Sequence, residues 1–456
     1  MASAASIPNA IVCGASGTRL KPLTDWVFFL LILFTPYRTA LWVTDFWNVQ
    51  KILGCVLLAC FCLLLLRGQV RVPAVALWLC GGLAAVRVAT SAAAFAFGGH
   101  PFNTPLIVSW AQFVTVLIIS SGIVQSRRDV RRVLIALVVS GTVSCVVFIA
   151  QYKLAADFLT ARGFSEGTPV RELGFSAAES GDSGRLFKDR ENDIDKTLDL
   201  KLGAVGDPTT YTLFLLCLLP VNFEFLRSSL ESRSRVAIAL FSLALGLIYI
   251  TLVISYSRTA WVLAAVLTLY LLRRYRADRR KIAGAFVILV LIAVPALQSM
   301  NALPALATRL GELGGLFTEN WQKDDSGQMR VAIQKAAIEL AAYNPLFGVG
   351  MGNFSDEAVR YSGLEVAQTA ENLYLQMLAE GGVFTVVLFV GLFVSAVRCG
   401  VFGRALDPRH TSAIKVSFAV FLLMSATIYT EFQSYIYIFG GLMLSSGVAH
   451  GAEITA

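Results

Sequence analysis

Charge-free apolar stretches recur along the chain at residues 26–48 (interrupted by Arg38 and Asp45), 52–66, 72–86, 105–124, 133–152, 204–222, 236–257, 259–272, 282–299, 383–397, 416–430 and 432–448. A helix crossing the ~30 Å hydrocarbon core of a bilayer uses about 20 apolar residues. The pattern predicts an all-α, polytopic integral membrane protein with about twelve transmembrane helices. Basic residues fall in alternate gaps: Arg19 and Lys21; Arg67 and Arg71; Arg127, Arg128, Arg131 and Arg132; Arg227, Arg233 and Arg235; Arg273 to Lys281; Arg398, Arg404, Arg409 and Lys415. Because Lys and Arg are retained on the cytoplasmic side, these gaps and both termini are expected inside. Two long loops, 156–203 and 300–370, are expected outside.

The expected organisation is a cytoplasmic tail (1–25), N-terminal membrane helices (26–155), a first outward loop (156–203), central membrane helices (204–299), a second outward loop carrying the motifs (300–382), and C-terminal membrane helices (383–456). Residues 1–25 hold no apolar core long enough for a cleavable signal peptide, so the first span is expected to direct insertion. Composition agrees with this picture. Of 456 residues, 56% are hydrophobic and 15% charged, against about 25% charged in soluble globular domains, which excludes both an ordinary soluble enzyme and a disordered chain. In a soluble chain the net charge of +8 would suggest nucleic acid; here it is topological, and no nucleic-acid partner is expected. None of the eight cysteines falls in either outward loop, so they are expected to pack as small polarizable side chains rather than form disulfides.

Four segments carry candidate chemistry. From Val236 to Leu272, 37 residues contain one charge, Arg258. As one helix they would span about 55 Å, too long for one bilayer core. The chain is expected to break at Ser255–Thr259, leaving Arg258 at the outer boundary, where a held charge is a functional candidate. Farther on, Asp325-Ser326-Gly327-Gln328 can cap a helix with an apolar stripe of Met329, Ile333, Ala336, Ala337 and Leu340, stopped by Asn344-Pro345. Arg330 is expected in its first turn, where a cation opposes the helix dipole, so local stability does not explain it. Next comes NPLFGVGMGNF (Asn344–Phe354), whose Gly348, Gly350 and Gly352 permit a tight path. A further helix is expected from near Thr369, with Glu371 in its first turn. Glu380, nine residues on, lies about 180° round that helix, so only one acid can face a given site, and Glu371 is preferred.

Other motifs are weaker. Gly14–Thr24 (GASGTRLKPLT) resembles the phosphate loop of sugar-nucleotide pyrophosphorylases, but no nucleotide-binding fold fits before the first span. Asp193-Ile194-Asp195 spells a short metal-binding string in a highly charged loop. His100, His410 and His450 are isolated, so no metal centre or cofactor is expected.

SYSRTAWV at the outer end of one span, an arginine in a loop helix before NPLFGVGMGNF, and ENLYLQMLAEGG opening the next span together look like the O-antigen ligase and O-antigen polymerase superfamily. The likeness covers most of residues 204–397. It implies a C-type, metal-independent, inverting glycosyltransferase of the bacterial inner membrane. The implied donor is a glycan on undecaprenyl diphosphate, with transfer on the periplasmic side to a glycan or lipid-core acceptor. A chain-length regulator is a further partner compatible with this class. In the implied site Arg258 and Arg330 hold the diphosphate, because guanidinium stays charged and grips phosphate oxygens. Glu371 accepts the acceptor's proton, and Gly348, Gly350, Asn372 and Tyr374 contact substrate. Ligases acting on lipid A core usually carry a histidine before the motif asparagine, where this chain has Glu371, although Gly382 is retained. Polymerase is therefore the expected activity, ligase the alternative. A polyisoprenoid-sugar flippase, the third reading, calls for ionisable residues at mid-membrane, which most of these spans lack.

Overall fold

In a hydrocarbon medium, backbone N–H and C=O groups are satisfied only inside helices or closed barrels, and this chain takes the helical solution. The computed structural model describes residues 20–37, 49–124, 126–161, 208–255, 257–275, 325–362, 369–398, 408–427 and 434–444, with isolated positions at 284, 295 and 298. The described residues form α1 (Leu20–Phe34), α2 (Val49–Leu66), α3 (Ala74–Gly98), α4 (Thr104–Ile123), α5 (Arg127–Ala161), α6 (Pro208–Glu231), α7 (Arg235–Ile254), α8 (Arg258–Arg274), α9 (Asp325–Tyr343), α10 (Phe354–Ser362), α11 (Leu373–Arg398), α12 (Pro408–Met424) and α13 (Ser434–Leu444), and no strand.

Eight of these helices are long and apolar enough to cross a membrane. The expected spans at 416–430 and 432–448 appear as shorter apolar helices within α12 and α13. That at 259–272 is α8, and that at 282–299 lies outside the described residues, as do the motifs Gly14–Arg19 and Asp193–Asp195. Several boundaries shift. α1 starts at Leu20, inside the expected tail, where Thr24 Oγ1 donates to Leu20 O (2.9 Å) and is fully buried. α3 continues past residue 86 to Gly98, and α11 starts ten residues before 383.

Apolar side chains line both the inside and the outside of the bundle. α6 is central, with Leu213 to Leu219 buried on every face. By contrast Val236, Leu240 and Leu243 on α7, Val262, Val266 and Leu269 on α8, and Val383, Val387, Val390 and Val394 on α11 are exposed at helical spacings of three and four. Such apolar outer faces suit lipid rather than water, and the chain is a polytopic membrane protein.

The helix ends sort by charge. α6 and α7 are joined through Ser232–Ser234, and α7 and α8 through Ser255–Ser257, so the start of α6, the end of α7 and the start of α8 share one end of the bundle. Tyr435 OH donates to Thr210 O (3.3 Å), bringing the start of α13 there. α13 runs parallel to α4, with Tyr437 stacked on Phe113 and Gly441 against Leu117 and Ser120. At the opposite end lie Arg127, Arg128, Arg131 and Arg132 at the start of α5, Arg227, Arg233 and Arg235 at the α6–α7 turn, and Arg273 and Arg274 closing α8.

Candidate functional site

The α7–α8 hairpin breaks where the length argument requires. Ser255 N–H donates to Thr251 O (2.9 Å), closing α7, and Trp261 N–H donates to Ser257 O (3.1 Å), opening α8. The Trp261 indole Nε1 reaches back to Leu252 O at 2.7 Å, a carbonyl in the last turn of α7. Lower down, the Tyr249 and Thr268 hydroxyls are hydrogen-bonded to one another. This locks the hairpin and sets Arg258, half-buried, as the first residue of α8.

Arg330 and Glu371 are brought together from different elements. The stripe on α9 is buried as its spacing indicates: Ile333, Ala336, Ala337 and Leu340 pack with Val349, Phe354, Ala358, Ala370 and Ala379. Because α9 begins at Asp325, Arg330 sits in its second turn rather than its first. Glu371 is not in a helix. It precedes α11 with φ +47, in the left-handed region, which for a non-glycine residue costs about 1–3 kcal/mol and persists only where its surroundings impose it. The helix instead opens after Asn372, whose Oδ1 accepts from Tyr374 N (3.0 Å) and Leu375 N (3.1 Å), while Leu373 N–H donates to Ser425 O at the end of α12 (2.8 Å). An asparagine cap plus a carbonyl from a neighbouring helix outweighs the weaker start signal at Thr369. Arg330 Nε stands 2.5 Å from Glu371 Oε2, both side chains partly open (42% and 38% exposed).

The remaining expected substrate residues have structural partners. Asn372 is the cap of α11, and the Tyr374 hydroxyl donates to Leu422 O (2.8 Å). Gly348 N–H donates to Asn344 O (2.9 Å), and Gly350 N–H to Glu380 O (2.9 Å). Both amides are thus committed to protein carbonyls. The glycines are required by the docking of this loop onto α11, which breaks at Gly382 (φ 68, ψ −174). Across the break Val349 N–H donates to Ala379 O and Val383 N–H to Pro345 O, each at 2.9 Å. A Cβ on Gly348 would stand 2.4 Å from the Glu380 carbonyl carbon, and one on Gly382 would stand 2.1 Å from Leu346 O. Farther along, Met351 N–H donates to Ser91 Oγ (3.2 Å) and Asn353 Nδ2 to Pro101 O (2.9 Å), tying the loop to the end of α3 and the turn into α4.

An ion pair and a histidine–carboxylate contact nearby lie beyond the expected set. Arg87, in the middle of α3 and fully buried, has Nη1 3.8 Å from Oε2 of the buried Glu380, with its guanidinium 5.9 Å from the centre of the Trp110 ring. Ending the span at residue 86 hid Arg87; the run of small residues after it was the available signal that the helix continues. His100, expected to be isolated, has Nδ1 3.3 Å from Glu357 Oε1. Glu371 and Glu380 meet different partners, Arg330 and Arg87, but helical spacing is not the reason, since Glu371 lies before the helix that carries Glu380.

Arg258 opens α8 at the end of the bundle where α11 also begins, since Leu373 is bonded to the end of α12 and α12 runs antiparallel to α6 beside it, Cys217 Sγ meeting Ser417 O at 3.4 Å. The three expected charged residues therefore share the end opposite the basic cluster. No curated protein matches the chain. Residues 234–390, about a third of its length, match the family model described as O-antigen ligase, a family of glycosyltransferase-like enzymes. That segment contains Arg258, Arg330, the loop Asn344–Asn353 and Glu371, and the match supports a likeness of this part of the chain to the O-antigen ligase and polymerase superfamily.

Proposed function

We propose that the protein is a polymerase-type glycosyltransferase that moves a glycan from undecaprenyl diphosphate to an acceptor sugar hydroxyl at the periplasmic face of the inner membrane. The observation that carries this reading is the partly open Arg330–Glu371 pair, held at the bundle end opposite the basic residues. The positive-inside rule assigns that basic end to the cytoplasm, which leaves the pair facing the periplasm.

The chemistry follows from the charges. As the acceptor oxygen bonds to the anomeric carbon, the bond from that carbon to the phosphate oxygen breaks and its electron pair leaves on the diphosphate. Positive charge beside that leaving group stabilises the transition state, the role given to Arg258 and to the free edge of Arg330. Glu371 takes the hydroxyl proton, and its pairing with Arg330 Nε keeps the carboxylate next to the departing phosphate. A single displacement inverts the anomeric centre and needs no metal. An acid at position 371 instead of histidine favours polymerase over transfer to lipid A core.

The test is to incubate purified protein with an undecaprenyl-diphosphate oligosaccharide, alone and with lipid A core. Elongated lipid-linked product in the first reaction is expected, and it should vanish in Glu371→Gln, Arg258→Ala and Arg330→Ala proteins that insert normally. Transfer only to core would replace polymerase by ligase. Movement of labelled lipid-linked sugar across liposomes without a new glycosidic bond would replace both by a flippase.

A further inference from the structure

Glu371 holds a backbone conformation that its own chemistry disfavours, so something on either side must impose it. On the C-terminal side the Asn372 cap and the Leu373–Ser425 bond fix the chain. On the N-terminal side the constraint comes from farther down α11. Gln376 Oε1 accepts from Ala370 N–H (2.8 Å), the peptide immediately before Glu371, and Gln376 Nε2 donates to Glu380 Oε1 (2.7 Å). Glu380 Oε2 lies 3.8 Å from Arg87 Nη1. Ala370, Gln376, Glu380 and Arg87 are all buried. Gly381 lets Arg87 in: a Cβ there would stand 3.1 Å from Arg87 Nη1.

We propose that Gln376 is a positioning residue for Glu371, and that the Arg87–Glu380 pair orients Gln376 for that task. The amide has one orientation that serves both neighbours, since Ala370 N–H needs an acceptor and the Glu380 carboxylate needs a donor. Arg87 in turn fixes which way the carboxylate faces. A fully buried ion pair is costly to maintain and adds little stability compared with apolar residues of similar size, so its presence calls for a role other than holding α3 against α11. The chain Arg87–Glu380–Gln376–Ala370 supplies that role. It runs from the membrane interior to the peptide before the proton acceptor, and so couples the packing of α3 to the placement of the Glu371 carboxylate at Arg330. This inference rests on the reading of Glu371 as the base.

The experiment uses the full-length protein in lipid nanodiscs with an undecaprenyl-diphosphate oligosaccharide, measuring kcat, donor KM and the unfolding temperature of four proteins: wild type, Gln376→Leu, the double variant Arg87→Met/Glu380→Met, and Glu371→Gln. The double variant removes both charges together and strands neither in the interior. Gln376→Leu is expected to lower kcat at least tenfold while donor KM stays within twofold of wild type. The double variant is expected to fold and to lose kcat by a smaller factor in the same direction, still without a change in KM. A folded Gln376→Leu protein with wild-type kcat overturns the proposal. So does a double variant with wild-type kcat, which would limit the pair to packing, and this arm decides the matter if Gln376→Leu fails to fold. A KM that rises in step with the fall in kcat also overturns it, since that is the signature of a loosened structure. Glu371→Gln separates the two readings: if it retains full activity the base assignment itself fails, whereas its inactivity beside an active Gln376→Leu protein sinks only the positioning role.

Discussion

Replacing Gly382 by alanine tests whether the loop from Asn344 to Asn353 is clamped to the break in α11. At φ 68, ψ −174 this residue occupies a region open essentially to glycine alone, and a side chain there costs about 1–3 kcal/mol in backbone strain. The added Cβ would also lie 2.1 Å from Leu346 O and 2.3 Å from Leu346 C. Both are backbone atoms, so the collision cannot be relieved by a rotamer change. Relief requires the loop to move off, breaking the bonds from Val349 to Ala379, Gly350 to Glu380 and Val383 to Pro345, each worth about 1 kcal/mol net. A penalty of about 3 kcal/mol lowers the docked population roughly 100-fold. Gly391, in the same helix, has nothing within 4 Å of its hypothetical Cβ, and alanine there should be neutral or stabilising by about 0.5–1 kcal/mol. The assay is amide exchange at residues 349, 350 and 383 together with glycan transfer, for both variants in nanodiscs. Gly382→Ala should lose protection and most activity, and Gly391→Ala neither. Full protection and activity in Gly382→Ala would refute the clamp.

Arg330→Lys should cut kcat at least tenfold with little change in stability, because an ammonium cannot hold Glu371 through one edge and offer another to phosphate; steady-state kinetics beside Arg330→Ala check this. Asn372→Asp should retain activity and Asn372→Ala should lose about 1 kcal/mol of stability, which thermal unfolding in nanodiscs would register; activity lost in Asn372→Asp at unchanged stability would return Asn372 to substrate contact. Trp261→Phe should destabilise the α7–α8 turn by about 1 kcal/mol through loss of the indole bond to Leu252 O, read as faster amide exchange around Ser255 to Ser257.

The membrane helices were legible because lipid imposes a simple demand, an apolar surface of sufficient length, that any window of the chain must meet alone. Boundaries slipped where small or weakly polar residues continue a helix inside protein. Thr90 and Ser91 are buried in α3, where Ser91 receives the loop amide of Met351, and the stretch ENLYLQMLAEGG supplies the first turns of α11. The α9 stripe was legible for the same reason as the spans, since it follows from helical periodicity. The non-helical backbone of Glu371 was not, because the helix start is decided by the Asn372 cap and by Ser425 on α12, a partner that spacing along the chain does not identify.

The motif NPLFGVGMGNF uses the tight path its glycines permit to bring backbone against backbone. Its glycines resemble those that bare backbone N–H groups to a phosphate, yet Gly348 and Gly350 donate to Asn344 and Glu380, and the close approach they permit is to another stretch of backbone. The broken helix makes this necessary: a helix interrupted at Gly382 leaves the carbonyls of Ala379 and Glu380 without intrahelical donors, and in a low-dielectric interior each would cost several kcal/mol if left bare. The loop supplies those donors, and the same contact seats it beside the buried face of α9, through Val349 and Ala379. Arg330 on α9 and Glu371 before α11 are thus fixed to one rigid body built from apolar packing and backbone bonds, so their 2.5 Å approach does not rely on their mutual attraction. It follows that the pair can turn its charges outward, to a leaving group and an incoming hydroxyl, without the site losing its shape.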